Sequence, residues 1–261
     1  MSATIQLEIV DVALVADAAV AMDMPFVTDV PIIADVALIP DRERVLPKTM
    51  LLRHCYRLVE DACRRDLDVI LALFGLVCLL PVILVLACLI ATDGGPVFFS
   101  HKRVGRHGVM FGCWKFRTMV VGAEECLRDY LKYHPHVVPE WNQENKLAVD
   151  PRITPLGAFL RKTSLDEVPQ LWNVLLGEMS LVGPRPVTAQ EMRERYGSHA
   201  DVVTSVRPGV TGLWQVSGRN DIDYDLRVLL DHRYVRSRTL LSDLVIMLQT
   251  VPAVVRARGA R

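Results

Sequence analysis

Residues 69–92 read VILALFGLVCLLPVILVLACLIAT, twenty-four residues without a charge. As one straight helix this run would be about 36 Å long, enough to cross a hydrocarbon core of about 30 Å. A transmembrane span is therefore the first reading. Two features argue for a second one. Pro81 stands at the centre, where proline removes a backbone hydrogen bond and kinks a helix. Basic residues flank both ends, Arg64 and Arg65 before the run and Lys102, Arg103 and Arg106 after it. The tendency of Lys and Arg to stay on the cytoplasmic side then puts both ends on one side. A hairpin bent at Pro81 has arms of about 18 Å each, which dip into one leaflet without crossing. Spacing alone leaves span and hairpin open, and the flanking charges favour the re-entrant hairpin.

Upstream, residues 42–66 carry Arg42, Arg44, Lys48, Arg53, Arg57, Arg64 and Arg65. Leu51, Leu52, Cys55, Leu58, Val59 and Ala62 recur among them at helical spacing. The stretch reads either as a basic amphipathic helix on a membrane surface or as a solvated helix leading into the apolar run. Residues 1–41 are different in kind. They contain no Lys, Arg or His, and their acids are Glu8, Asp11, Asp17, Asp23, Asp29, Asp35 and Asp41. The aspartates recur every six residues, a period without a physical account. On composition the segment is expected to be a disordered acidic arm, with a regulatory or partner-binding element as the alternative. Its charge is −7, so the remaining chain carries +7 behind a formal net charge of zero. A basic body suits a nucleotide, a lipid phosphate or an anionic membrane. Nucleic acid is disfavoured, since the basic residues are not interleaved with aromatics and no nucleic-acid motif is present.

The six cysteines, Cys55, Cys63, Cys78, Cys88, Cys113 and Cys126, form no CxxC pair. They suggest neither a disulfide framework nor a zinc site, and fit a reducing compartment. No basic n-region precedes an apolar stretch at the start of the chain, so a cleaved signal peptide is not expected.

Downstream, Asp93–Pro96 reads as a turn, followed by short strands around a glycine turn at 105–108. Residues 120–134 read as a polar helix, and 135–155, with four prolines, as a loop. A helix is expected over 164–176. Ser164 and Glu167 match a capping box, Gly177 stops it, and Pro169 must fit its first turn. Residues 221–256 hold two more helical stretches, the second running from Leu240 to Val255.

The chemistry concentrates in residues 161–186, RKTSLDEVPQLWNVLLGEMSLVGPRP. Asp166 and Glu167 are adjacent carboxylates, Arg161 and Lys162 lie just before them, and Arg185 lies nineteen residues beyond Asp166 between a Gly-Pro and a Pro. An ionised Asp is a competent nucleophile toward phosphorus when a metal neutralises the phosphate. A neighbouring Glu can hold Mg2+, which takes one or two carboxylates plus phosphate oxygens. Arg161, Arg185 and Arg207 can clamp a diphosphate bidentately. Alone, a first-turn Asp-Glu is as well explained as a good helix start.

Three stretches together shift that balance: RKTSLDEVPQLWNVLLGEMSLVGPRP, WKFRTM at 114–119 and RPGVTGLWQVSGRN at 207–220. In this order they resemble the bacterial sugar transferases, the monotopic polyprenol-phosphate phosphoglycosyl transferases. The resemblance covers about residues 64–258. The tail YVRSRTLLSDLVIMLQTVPAVVRARGA is similar to that of the short exopolysaccharide-initiating enzymes of the succinoglycan-starting type.

The resemblance implies an α/β, mostly helical fold. It has a re-entrant membrane helix–break–helix with Pro81 at the break, and a small cytosolic catalytic domain on interfacial amphipathic helices. The implied organisation is an acidic arm at 1–41, a basic segment at 42–63 and a sugar transferase domain at 64–261. Within that domain the membrane helix occupies 64–92 and the catalytic part 93–261. The implied reaction moves a hexose 1-phosphate, galactose or glucose, from a UDP-hexose to undecaprenyl phosphate, with release of UMP. Asp166 is implied as the nucleophile that forms a phosphosugar–aspartyl intermediate, and Glu167, with Asp166, as the Mg2+ site. Arg185 matches a nucleotide- or phosphate-contacting arginine, and Arg161 another phosphate-side arginine. Lys115, Arg117, Arg207, Arg219 and Asn220 are weaker matches. The implied place is the inner leaflet of the bacterial cytoplasmic membrane, facing the cytoplasm, beside other polysaccharide-assembly enzymes. A catalytically silent partner of that machinery and a membrane-bound Mg2+ phosphohydrolase are the competing readings. The intact Asp166–Glu167 pair and Arg185 weigh against the silent one.

Overall fold

The computed structural model describes residues 47–144, 147, 149–218 and 222–255. The acidic arm and the first part of the basic segment lie outside the described residues. The chain divides into units 1–57 and 58–261, and the contacts below belong to the second.

Helix α1 runs from Pro47 to Ala91 without a break at Pro81. The expected interruption is therefore absent from the backbone. The reason is packing. Arg64, Asp68, Ala72, Leu86 and Ile90 are buried, with Gly75, Leu79 and Ile83 half-buried between them. These residues recur every three or four positions, so one helix face meets the protein on both sides of the proline. Pro81 itself is exposed, and contacts before and after it outweigh the bond it cannot make, a loss of about 3 kcal/mol. The opposite face shows Ile70, Leu73, Phe74, Val77, Leu80, Leu84, Val85 and Leu89 to the outside. By length and composition α1 is the one described helix able to cross a membrane.

The strands appear where alternation placed them. β1 (Phe98–Val104) and β2 (Met110–Phe116) form an antiparallel hairpin, pairing Phe98 with Phe116 and Val104 with Met110. Its turn holds His107 at φ 56° and Gly108 at φ 77°. α2 (Ala123–Tyr133) matches the expected polar helix. The expected loop at 135–155 instead contains a short helix, α3 (Val138–Glu144), preceded by a single turn at Pro135–Val137. Pro135 and Pro139 sit in first turns, where a missing N–H costs nothing.

The helix expected at 164–176 is two elements. α4 (Pro155–Thr163) ends at Ser164, whose φ of 57° reverses the chain. A single 3-10 turn, Leu165–Glu167, follows, and α5 (Gln170–Leu176) begins after Pro169. Ser164 makes no side-chain cap, so the expected capping box is absent there. The box occurs instead at Thr188 and Glu191. Gly177, at φ 81°, ends α5 as expected.

β3 (Ser180–Val182) and β4 (Gly209–Thr211) pair in parallel. Gly183 and Gly209 let the two backbones touch, since a Cβ on Gly209 would stand 2.1 Å from the Gly183 nitrogen. α6 (Tyr224–Ser237) and α7 (Leu240–Val255) close the chain where two helices were expected.

The core lies under α1. Ala72 packs with Phe111, Cys113, Val174 and Met179, while Leu86 and Ile90 pack with Phe116 and Leu160. α1 is also pinned by polar contacts. The Leu181 N–H donates to Asp68 at 2.8 Å, and Arg64 pairs with Asp243 of α7 at 2.6 Å.

Candidate active site

Asp166 and Glu167 occupy the tight turn between α4 and α5. The reversal at Ser164 turns this segment back toward the end of β2. β2 alternates, so Phe111 and Cys113 face inward and Lys115, two residues on, follows the same side. Lys115 Nζ therefore lies 2.6 Å from Glu167 Oε1 and 3.7 Å from Asp166 Oδ2. Arg161, on the last turn of α4, donates from Nε to Thr118 Oγ1 at 2.9 Å, just past β2. Gly157 brings α4 this close: a Cβ there would lie 2.0 Å from the Thr118 carbonyl oxygen.

Asp166 is only 8% exposed. Burial raises its pKa above the ordinary carboxylate value; Lys115 opposes that, Glu167 adds to it, and Arg161 opposes it again. The site is thus a shielded carboxylate whose ionised form two neighbouring cations favour. Such a group is weakly solvated and strong as a nucleophile once a phosphoryl group arrives.

Arg185 follows β3 and is exposed, with its Cζ 5.6 Å from the centre of the Trp214 ring. Its charge, like that of Lys115, lowers the pKa of Cys113, whose burial is the dominant effect and pushes it up to about 11. Glu167 acts on the same thiol in the opposite sense. Arg185 therefore stands within electrostatic range of the β2 face that carries Lys115.

Arg207 and Arg117 are placed elsewhere. Arg207 donates to the Gly177 carbonyl at 2.7 Å, while Arg65 donates to the carbonyls of Val174 at 2.6 Å and Leu175 at 2.9 Å. Together they cap the C-terminus of α5, where a helix favours cations. Arg117 spends its donors on Pro96, Met119 and Ile90 carbonyls and on both oxygens of Asp93. It clamps the end of α1 to the end of β2. Arg219 and Asn220 lie outside the described residues.

Two supporting residues escaped the sequence reading. Thr118 anchors Arg161, and Asn173 joins α5 to the outer edge of β2. Asn173 is fully buried, accepts from the Trp114 N–H at 3.0 Å and donates to the Gly112 carbonyl at 2.8 Å. The one available signal was a lone amide inside the apolar QLWNVLL stretch.

Among the described residues no group of three or more His, Cys, Asp or Glu could hold a metal. The adjacent carboxylates are the available donors. That set fits Mg2+ arriving on a diphosphate, since Mg2+ is commonly bound by one or two carboxylates with phosphate oxygens and water. It does not fit a closed, all-protein cage.

A buried carboxylate set between a strand lysine and a helix arginine, next to a GPRP loop, agrees with the comparison with known proteins. Residues 59–257 match the family model described as bacterial sugar transferase. This chain belongs to the bacterial sugar transferase family. It is 47% identical over 216 residues to an undecaprenyl-phosphate galactose phosphotransferase of Salmonella typhimurium. That alignment covers 82% of this chain and 45% of the relative, so the chain spans less than half of it. It is also 47% identical over 205 residues to the exopolysaccharide production protein ExoY of Sinorhizobium fredii, covering 78% of this chain and 90% of the relative. A UDP-glucose:undecaprenyl-phosphate glucose-1-phosphate transferase of Klebsiella pneumoniae is 36% identical over 193 residues, 70% of this chain and 38% of the relative. The sugar transferase match thus spans the apolar run of α1 and every element that carries the site.

Proposed function

We propose that this protein transfers a hexose 1-phosphate from a UDP-hexose to undecaprenyl phosphate, releasing UMP, as the first membrane step of exopolysaccharide synthesis. The observation that carries this reading is Asp166, buried and held beside Lys115 and Arg161. In the first step an Asp166 oxygen attacks the β-phosphorus of the donor. The bond from that phosphorus to the bridging oxygen breaks, and UMP leaves with the electron pair. In the second step an oxygen of undecaprenyl phosphate attacks the same phosphorus. The bond to Asp166 breaks, the carboxylate is restored, and the lipid carries a diphosphate-linked sugar. Lys115 and Arg161 favour the ionised form of Asp166 between steps. Bound at Asp166 and Glu167, Mg2+ would neutralise phosphate charge. Two relatives, named for galactose at 47% identity and glucose at 36%, make UDP-galactose the first donor to test.

The disposition of α1 supports a monotopic placement along one leaflet over a full crossing. Both halves of the helix pack on the catalytic part, through Asp68 and Ala72 before Pro81 and Leu86 and Ile90 after it. A crossing helix would carry those polar partners into hydrocarbon, at a cost of several kcal/mol. A helix that enters one leaflet by its outer face, with the catalytic part on the cytoplasmic surface, meets the lipid phosphate at headgroup depth. Exposed Cys63 and an Ala91→Cys substitution, in a background without other cysteines, should react from the same side of sealed vesicles. Labelling from opposite sides overturns the placement.

The deciding assay uses membranes containing the protein, Mg2+, undecaprenyl phosphate and radiolabelled UDP-galactose or UDP-glucose in parallel. Label in the organic phase with UMP in the aqueous phase, both lost in Asp166→Asn, supports transfer. Free sugar phosphate without lipid label points to the hydrolase. No turnover of any UDP-sugar favours the silent partner.

A further inference from the structure

Trp214 is only 3% exposed, and two guanidinium groups rest against its ring. The Arg185 Cζ lies 5.6 Å from the ring centre and the Arg227 Cζ 4.9 Å. Arg227 also reaches Tyr224, at 5.9 Å, and Tyr224 carries Arg195 at 5.3 Å. These groups come from separate parts of the chain: the loop after β3, the single turn Leu213–Val216 after β4, the turn Met192–Tyr196, and α6. The fold has gathered three arginines on two rings.

Arg227 also donates from Nε to the Ile222 carbonyl at 3.1 Å. The charge of Arg185 acts on Glu191, whose carboxylate is also engaged by the Thr188 N–H at 2.8 Å and by Arg103 at 3.1 Å. Asp223 acts on Arg227 from the start of α6. Asp231 sits beneath, bonded to the Tyr196 hydroxyl, and burial pushes its carboxyl up to about 7. Burial disfavours the charge of Arg227, and Arg185 close by adds to that. Aromatic faces soften such repulsion through the ring quadrupole. They also hold the guanidinium planes in fixed orientation, which suits bidentate binding of phosphate oxygens.

We propose that Arg227 is the second arm of a phosphate clamp with Arg185, that Trp214 is the platform aligning both, and that the clamp grips the phosphate departing with the nucleoside. This deepens the UDP-sugar reading and rests on it. On that reading, the clamp neutralises the charge that builds on UMP as the bond to the β-phosphorus breaks. Arg185 spans the two functions, since it stacks on Trp214 and acts on Cys113 beside Lys115. Arg195, which touches only Tyr224 of the two rings, lies at the margin.

The test uses the full chain in detergent or nanodiscs and measures binding of UMP, uridine and undecaprenyl phosphate separately. The variants are Arg227→Gln, which keeps a planar polar group, Arg227→Lys, which keeps the charge, and Arg195→Ala. Arg227→Gln should weaken UMP about tenfold or more, consistent with loss of a charge-assisted bidentate contact, and leave uridine unchanged. Its UMP affinity should also depend less steeply on salt, which a merely structural role would not alter. Arg227→Lys should recover only part of the affinity, and Arg195→Ala should lose less than threefold. Unchanged UMP affinity in Arg227→Gln, with the melting temperature preserved, overturns the clamp. Weakened undecaprenyl phosphate binding with UMP unaffected also overturns it, in favour of a lipid-phosphate subsite. Failure of the unaltered protein to bind UMP at all overturns the donor reading itself, and is distinguished by the absence of radiolabel transfer.

Discussion

Lys115 holds Glu167 at 2.6 Å while standing 3.7 Å from Asp166. One strand cation thus touches both members of the carboxylate pair. Glu167 is occupied by an ion pair that a metal-bound donor would have to reorganise, and Asp166 keeps a compensating charge throughout. Lys115→Met removes that charge without changing the chain's bulk much. Turnover should fall at least about a hundredfold, the scale of losing one preorganised electrostatic contact. UMP affinity should change far less than turnover. Comparable losses in both would place Lys115 in donor binding instead.

Arg117 separates a structural from a binding role. Its five donors are all taken within the fold, and its side chain ties Asp93 and Ile90 to the end of β2. Arg117→Ala should destabilise the protein by about 1–3 kcal/mol, since it leaves the carbonyls of Ile90, Pro96 and Met119 without their donor. The KM for the UDP-sugar should stay within about twofold in protein that remains folded, a change worth under about 0.5 kcal/mol. A selective rise in KM without a drop in melting temperature would restore Arg117 to the substrate.

The contrast between Lys115 and Arg117 shows what the sequence made legible. Both lie in WKFRTM, two residues apart, and their residue types do not separate them. Strand alternation puts both on one side, yet Lys115 meets the Asp166 turn and Arg117 meets the end of α1, a difference that only tertiary packing decides. The Asp166–Glu167 pair and Arg161 were readable because they are neighbours in the chain. So were α7, read as a largely apolar helical stretch from Leu240 to Val255, and the Gly177 stop. Ser164 misled because a capping-box pattern carries no information about the left-handed backbone that α4 imposes on it. Pro81 misled in the opposite direction: a local helix breaker was overridden by a buried stripe that continues through it. Arg227 gave no signal, since only the fold brings α6 beside the loop after β3.

Asn173 makes a prediction about stability that reaches the site. It satisfies the Trp114 N–H and the Gly112 carbonyl on the edge of β2. Asn173→Leu keeps the volume but leaves both groups without partners at the partly buried edge of β2. A cost of about 2–5 kcal/mol is expected, from about 1–3 kcal/mol for each buried unsatisfied group. Thermal unfolding followed by tryptophan fluorescence measures it. A melting temperature within a degree of the original would mean that β2 does not need α5 at its edge.

Gly157 couples packing to chemistry in the same way. Gly157→Ala forces a Cβ against the Thr118 carbonyl and must push α4 away from β2. Arg161, bonded to Thr118, moves with α4. Turnover should fall more than donor affinity, because the displaced guanidinium guards Asp166 rather than the nucleoside. Full turnover in the variant would show that the Arg161–Thr118 contact is not needed to position the site.

Asp231 gives a pH dependence whose sign can be worked out. Its carboxyl is pushed up to about 7 in the folded chain, because burial outweighs the hydrogen bonds from the Tyr196 hydroxyl and the Arg185 N–H. In the unfolded chain an ordinary Asp titrates near about 3.9. Between those values the folded state holds a proton that the unfolded state has released, so stability from this group falls as pH rises from about 4 to about 7. The whole interval is worth at most about 4 kcal/mol, since a tenfold change in proton affinity corresponds to about 1.36 kcal/mol. Asp231→Asn keeps an acceptor for Tyr196 and removes the titration. Relative to the original protein, the variant should therefore be more stable at about pH 8 than at about pH 5, on either side of most of that interval. Melting temperatures of both proteins at the two values read this directly. A difference that stays constant between them would mean that Asp231 is ionised throughout, held so by the cations gathered at Arg185.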